Sequence, residues 1–225
     1  MTTSTPDKPV TGATSSAPPK RRRGRPAAGS TAPAETRSQI VQAGLEQLTE
    51  KGVTATGIDQ VLKMVGVPKG SFYHYFANKE AFLLEVVDAY GSYFARKLDK
   101  HFTNRRRRPL SRLQAFIDDA EAGMQRHQFR RGCLIGNLGQ EVSVLSDALR
   151  QRVEEVLQDW EQRLAQCLKE AVDAGQLAED CDVEAESSYF WTGWEGAVMR
   201  ARLKQDTAPM KQFGMRFIQQ IQAKP

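Results

Sequence analysis

The sequence predicts an all-α fold with a small three-helix unit at residues 35–80, a larger helical unit at 81–225, and a disordered basic stretch at 1–34. Two observations carry that prediction. From Thr36 onward, apolar side chains recur at three- and four-residue spacing in one segment after another, which is the pattern of helices that bury one face. The segments are separated by Gly52, Gly66 and Gly175 or opened by Pro68 and Pro209, the residue types that end and begin helices.

The elements follow in order. Ile40, Val41, Gly44, Leu45 and Leu48 mark a first helix from Thr36, with Gly52 at its C-cap. Thr56 opens a second, with Ile58, Val61, Leu62 and Val65 as its apolar positions and Thr56 and Asp59 spaced as a capping box. Gly66 makes a tight turn into Val67–Phe76, where Pro68 sits in the first turn and Phe72 stacks over Phe76. Two short helices joined this way form a helix-turn-helix. A long connecting helix is expected from about Ala81 to Phe102, followed by a loop at Arg105–Pro109. Helical spacing resumes through Leu113, Phe116, Ile117, Ala120 and Met124. A short irregular helix is expected within Gly132–Ser143, a long helix over Ser146–Ala174, and two last helices at about Val183–Lys204 and Pro209–Gln222.

With 225 residues, 40% hydrophobic and 26% charged, the chain can bury the core of one small module plus one larger one. No apolar run approaches the ~20 residues needed to cross a bilayer. The N-terminus is polar where a secretory signal needs an apolar stretch, so a cytoplasmic protein without a membrane partner is expected. Cys133, Cys167 and Cys181 are too few and too scattered for a disulfide framework or a metal site, and His74, His101 and His127 stand alone. No metal or other cofactor is expected. The charge is unevenly divided: residues 1–35 hold six Lys/Arg against two acids, residues 36–79 five against three, and residues 80–225 twenty-one against twenty-two. A basic front and a neutral back suit a polyanion partner at the N-terminal end.

The run Gly66-Val67-Pro68-Lys69-Gly70-Ser71-Phe72-Tyr73-His74-Tyr75-Phe76, continued by Asn78-Lys79-Glu80 and Phe82-Leu83, closely resembles the signature of the TetR family of DNA-binding repressors, and the match extends back through Thr56. The resemblance implies a homodimer on a twofold, double-stranded operator, with the last two helices meeting their symmetry mates in a four-helix bundle through Phe190, Trp191, Trp194, Val198, Leu203, Met210, Phe213, Phe217 and Ile221. A hairpin of those helices packed on its own domain is the alternative. Phe72 and Phe76 are expected in the core, with Lys69, Gly70, Ser71, Tyr73, His74 and Tyr75 toward the major groove. Thr56 is expected to cap the second helix while its hydroxyl or N–H meets a phosphate, and Lys79 to make a further phosphate contact.

A second signal lies in Lys20-Arg21-Arg22-Arg23-Gly24-Arg25-Pro26, which resembles an AT-hook. Arg22, Arg23, Gly24 and Arg25 suit a narrow A/T-rich minor groove, and a solvated basic tail is the other reading. The runs Phe129–Glu141 and Tyr189–Ala197 resemble the ligand domain of acrylate-responsive members of the family and of members that sense electrophiles. That resemblance implies a small-molecule inducer such as acrylate, held by Arg130 or Arg131, Cys133, Asn137, Trp191 and Trp194. A neighbouring guanidinium would favour a Cys133 thiolate. Cys133 as a plain buried hydrophobe, and the two tryptophans as dimer core, are the alternatives. Two other classes remain open: a hydrolase with Cys133 as nucleophile and His127 as base, and a nonspecific architectural DNA binder, which leaves the large neutral unit without a role.

Overall fold

The computed structural model describes residues 33–222, and all of the regular elements among them are helical. The arm residues Arg22, Arg23, Gly24 and Arg25 lie outside the described residues. Helix α1 (Pro33–Lys51) begins three residues before Thr36. Pro33 lacks only an N–H that the first turn leaves unpaired, and Glu35 complements the positive end of the helix dipole.

Helix α2 (Ile58–Met64) corrects the capping expectation, because its N-cap is Gly57 and no side chain caps it. The Thr56 hydroxyl instead donates to the Gly52 carbonyl at 2.6 Å, and Thr56 is 4% exposed. Asp59 does not reach back to the cap; it pairs with Lys69 at 2.7 Å. A 3₁₀ turn at Lys69–Ser71 leads into the single turn of α3 (Phe72–Tyr75). Phe72 and Phe76 are buried and pack with Phe82 at ring distances of 5.1 to 5.8 Å. Phe82 belongs to α4 (Lys79–Phe102), whose start is set by Asn78 accepting from the Ala81 N–H at 2.8 Å.

The larger unit is built from α4, α5 (Pro109–Arg126), α6 (Leu134–Gln140), α7 (Asp147–Asp173), α8 (Val183–Lys204) and α9 (Ala208–Ile221). Their apolar faces meet in an aromatic cluster: Trp160 lies 4.4 Å from Phe94 and 5.1 Å from Trp191, while Phe116 lies 5.8 Å from Trp191 and 5.6 Å from Trp194. Arg112 is buried at the far end, where its guanidinium binds Glu170 at 2.6 Å and the Phe102 carbonyl at 2.9 Å. That pairing ties α5 to α7 and to the end of α4, while Arg105–Arg108 stays exposed in the loop.

The sequence expectation for α8 and α9 needs correction. Phe190, Trp191, Trp194, Met210 and Phe217 are buried against the chain's own helices. Helical pairs bury their widest apolar stripe first, and here that stripe packs on α5 and α7. The apolar side chains left outside are Tyr189, Met199 and Leu203 on α8 and Met215 on α9.

Candidate functional site

Two surfaces carry chemistry. On the first, the recognition segment divides as a helix must when alternate faces are buried and free. Phe72 and Phe76 point inward, while Lys69, Gly70, Tyr73 and His74 are exposed and Ser71 and Tyr75 half-buried. Tyr73 is 71% exposed, with its ring edge against Phe72. Lys79 is exposed at the first turn of α4. Arg37 braces the back of this segment: it binds the Tyr75 carbonyl and Glu85 and lies 4.8 Å over the Phe76 ring.

The second surface is a cavity of about 640 Å³ bounded by the end of α1, the segment before α6, α6 itself and α8. That volume is in the range of small-molecule sites. The α8 wall is one helical stripe, Glu195, Val198, Met199 and Arg202, at spacings of three and four residues. Arg130, Cys133 and Asn137 line the opposite wall. The chain reaches α6 through Gln128 and Phe129, both in the left-handed region at φ 51° and 57°. Such backbone is uncommon outside glycine and clusters at functional sites.

Cys133, Glu195 and Tyr90 form one polar group, with Tyr90 buried and Cys133 and Glu195 half-buried at the cavity wall. The Tyr90 hydroxyl meets the Cys133 thiol and the Leu134 backbone. Burial pushes the Cys133 thiol well up, and the nearby Glu195 charge adds to the effect. The surroundings thus work against the expected guanidinium-stabilised thiolate, since burial and an acid both favour the neutral thiol. A nucleophile needs the reverse, so the environment also argues against a Cys133–His127 pair. Burial likewise pushes Glu195 up to about 7, partly offset by its hydrogen bond with Cys133. Gly136 makes room for it, because a Cβ there would meet Glu195 Oε2 at 2.0 Å.

Arg202 is the cation inside the cavity that the sequence reading missed. Its guanidinium donates to Asn137 Oδ1 at 3.2 Å, to the Glu50 carbonyl at 3.0 Å and to the Arg130 carbonyl at 2.9 Å. All three partners are uncharged, and among the described residues no carboxylate pairs with it. Arg131 is engaged elsewhere, with Glu50 at 3.3 Å and Glu46 at 3.5 Å. Arg130 lies at the rim, and its side chain is exposed. Trp191 and Trp194 do not line the cavity; both are packed in the aromatic core, with Trp194 stacked on Phe190 at 5.5 Å. The usable sequence signal was the repeat of Glu195 and Arg202 seven residues apart, which places both on one face of α8.

The cavity's polar wall also holds the end of α1. Asn137 Nδ2 donates to the Thr49 carbonyl at 3.1 Å and to that of Leu48 at 3.4 Å, and the Gly132 N–H donates to Thr49 at 3.2 Å. Just beyond, the Glu141 carboxylate accepts from the Val53 N–H at 3.0 Å, the Thr54 N–H at 2.7 Å and the Thr54 hydroxyl at 2.5 Å. Gly52 turns the chain there at φ 79°, and a Cβ on it would meet Glu141 Oε1 at 1.8 Å.

Known proteins resemble the chain over both surfaces. Residues 40–86 match bacterial regulatory proteins of the tetR family, and residues 109–217 match the Tetracyclin repressor-like C-terminal domain. Transcriptional regulator AcuR of Cereibacter sphaeroides is 47% identical over 218 residues, covering 95% of this chain and 99% of that protein. The HTH-type transcriptional repressor DhaR of a Mycobacterium species is 28% identical, covering 79% and 87%. Among solved structures, the regulatory protein TetR from Rhodobacter sphaeroides superposes with a TM-score of 0.80 at 47% identity, covering 83% of this chain and 98% of that one. The reduced form of NemR from E. coli gives 0.74 at 25% identity, covering 85% and 98%.

The Glu195 environment has a measurable consequence. Below pH 4.5 its carboxyl is protonated whether the chain is folded or not, so burial has no ionic cost; between 4.5 and about 7 the unfolded chain ionises first and stability falls. Glu195→Gln removes that cost. The variant should match wild type near pH 4.5 and be more stable at pH 8, by at most about 3 kcal/mol, as a higher melting temperature. An equal difference at both pH values would contradict the assignment.

Proposed function

The chain belongs to the TetR family of bacterial transcriptional regulators, and from that premise we propose that it is a dimeric, cytoplasmic repressor that leaves a palindromic operator when a small unsaturated carboxylate, acrylate, occupies the cavity beside α6. The observation that carries the ligand class is Arg202, a half-buried guanidinium bonded only to neutral oxygens. A carboxylate offers it an ionised acceptor whose two oxygens match the guanidinium fork, where its present partners are neutral oxygens taken one at a time. Glu195 favours the same ligand: protonated, it can donate a hydrogen bond to a carboxylate rather than repel it. Val198 on the α8 wall gives the vinyl group apolar contact. Cys133 stands beside the site as a neutral thiol, and Asn137 and Arg130 complete the polar side.

On the DNA side, the exposed face of Lys69, Gly70, Ser71, Tyr73, His74 and Tyr75 supports major-groove readout, and Lys79 supports a phosphate contact. Binding releases Lys69 from Asp59, which exchanges an exposed ion pair worth little for a contact with the polyanion. Arg22, Arg23, Gly24 and Arg25 are proposed as a minor-groove arm on their sequence alone. The boundaries 1–34, 35–80 and 81–225 describe this division of labour, with α4 joining the last two.

The dimer face proposed here is the exposed stripe Tyr189, Met199 and Leu203 of α8, with Met215 of α9. Leu203 is 73% exposed, which a lone domain gains nothing from. Leu203→Glu should shift the protein from dimer to monomer in sedimentation at micromolar concentration without loss of helical signal. A dimer as tight as wild type would move the interface elsewhere.

The ligand assignment is tested with a duplex that the wild-type protein selects from a random pool. Acrylate is expected to release it from wild type, and Arg202→Gln should raise the acrylate needed by about 10- to 100-fold, the loss of one charged hydrogen bond. Cys133→Ser should still respond, since the thiol is not ionised. Tight DNA binding that acrylate leaves unchanged would remove the ligand and keep the regulator.

A further inference from the structure

An α-helix leaves its last four carbonyls without intrahelical partners, and the way α1 meets this requirement is unusual. Gly52 caps the Leu48 carbonyl at 3.0 Å from within the DNA-binding unit. The carbonyls of Thr49 and Glu50 are instead satisfied by groups of the ligand-binding unit: the Gly132 N–H, Asn137 Nδ2 and Arg202 Nη2. Two of those three residues share a bond with each other, Arg202 Nη1 to Asn137 Oδ1. The same side chains line the cavity. At the other end of α6, Glu141 takes three donors from the loop between α1 and α2. Glu141 does not line the cavity and lies outside the recognition segment.

We propose that this clasp is the transmission between the two sites: a carboxylate in the cavity draws Arg202 off the Glu50 carbonyl, α6 moves with Asn137, and Glu141 is the positioning residue that passes the movement to residues 53–54 and so to α2 and α3. The inference rests on the reading above that the cavity takes a small carboxylate. Its physical basis is competition for one guanidinium. Arg202 has a limited set of donors in a fixed plane, and a ligand oxygen that engages them does so at the expense of the neutral carbonyls. The carbonyl released is at the negative end of the α1 dipole and must find water or a new partner. Because three donors on two consecutive residues of the loop hold the Glu141 carboxylate, a displacement of α6 strains all three bonds together. It must carry the loop or break the contact. The route runs through α6 and the end of α1 directly, and it uses differential contacts of a single residue in two states, as coupling between sites requires.

The test separates ligand binding from its effect on DNA. Acrylate affinity is measured by calorimetry on DNA-free protein, and affinity for the selected duplex is measured with and without saturating acrylate, in wild type, Glu141→Ala and Glu141→Gln. Glu141→Ala should bind acrylate within about threefold of wild type and should bind the duplex, while the weakening of DNA binding by acrylate falls by about tenfold, a typical coupling factor. Glu141→Gln keeps one acceptor oxygen and should fall between the two. In wild type, acrylate should speed hydrogen exchange at the amides of Val53 and Thr54, a readout that needs no variant to fold. Wild-type release in both variants, or acrylate binding that leaves exchange at residues 53–54 unchanged, overturns the clasp while the ligand assignment stands. Calorimetry that finds no acrylate binding to wild type overturns both.

Discussion

The end of α1 is the constraint on which the rest of the arrangement depends. A helix of 19 residues in a small DNA-binding unit must satisfy its last carbonyls, and no side chain within residues 33–80 reaches those of Thr49 and Glu50. The ligand-binding unit supplies the donors. From this follow the position of α6, the need for glycine at 52 and at 132, where a Cβ would meet Arg202 Cδ at 2.8 Å, and the location of the cavity at the seam. A neutral set of partners for a guanidinium is weaker than a carboxylate. The arrangement is therefore sufficient in the free protein and open to displacement.

The frame around the seam is rigid by contrast. Phe94, Phe116, Trp160, Trp191 and Phe190 interlock from α4, α5, α7 and α8, and Arg112 fixes the far ends of α4, α5 and α7 through Glu170 and backbone carbonyls. Buried aromatic pairs of this kind move little. The polar residues Tyr90, Cys133 and Glu195 lie between this frame and the cavity, and burial keeps the thiol and carboxyl protonated more than usual. The site is thus positioned by a stiff core on one side and bounded by a hydrogen-bonded clasp on the other.

Much of this was legible in the sequence, for identifiable reasons. Helical spacing gave every long helix, since a buried stripe leaves a periodic record, and the Gly66–Phe82 run gave the recognition segment, since its turn and aromatic positions are dictated locally. Thr56 was misread because a Thr with an acid three residues on looks like a capping box whether or not its hydroxyl turns back, as it does here to Gly52. Trp191 and Trp194 were misread because periodicity marks a face as buried without saying against what. Arg202 and Glu141 were missed because their partners lie 152 and 88 residues away in sequence or are backbone atoms, and backbone acceptors have no sequence signature.

Linkage gives the most direct test of the central claim that the cavity and the DNA face share one equilibrium. Acrylate affinity should be measured by calorimetry for the free protein and for the protein saturated with its selected duplex. If the two sites are coupled through the end of α1, the duplex weakens acrylate by the same factor by which acrylate weakens the duplex. Equal acrylate affinity in the free and DNA-bound protein would contradict the account.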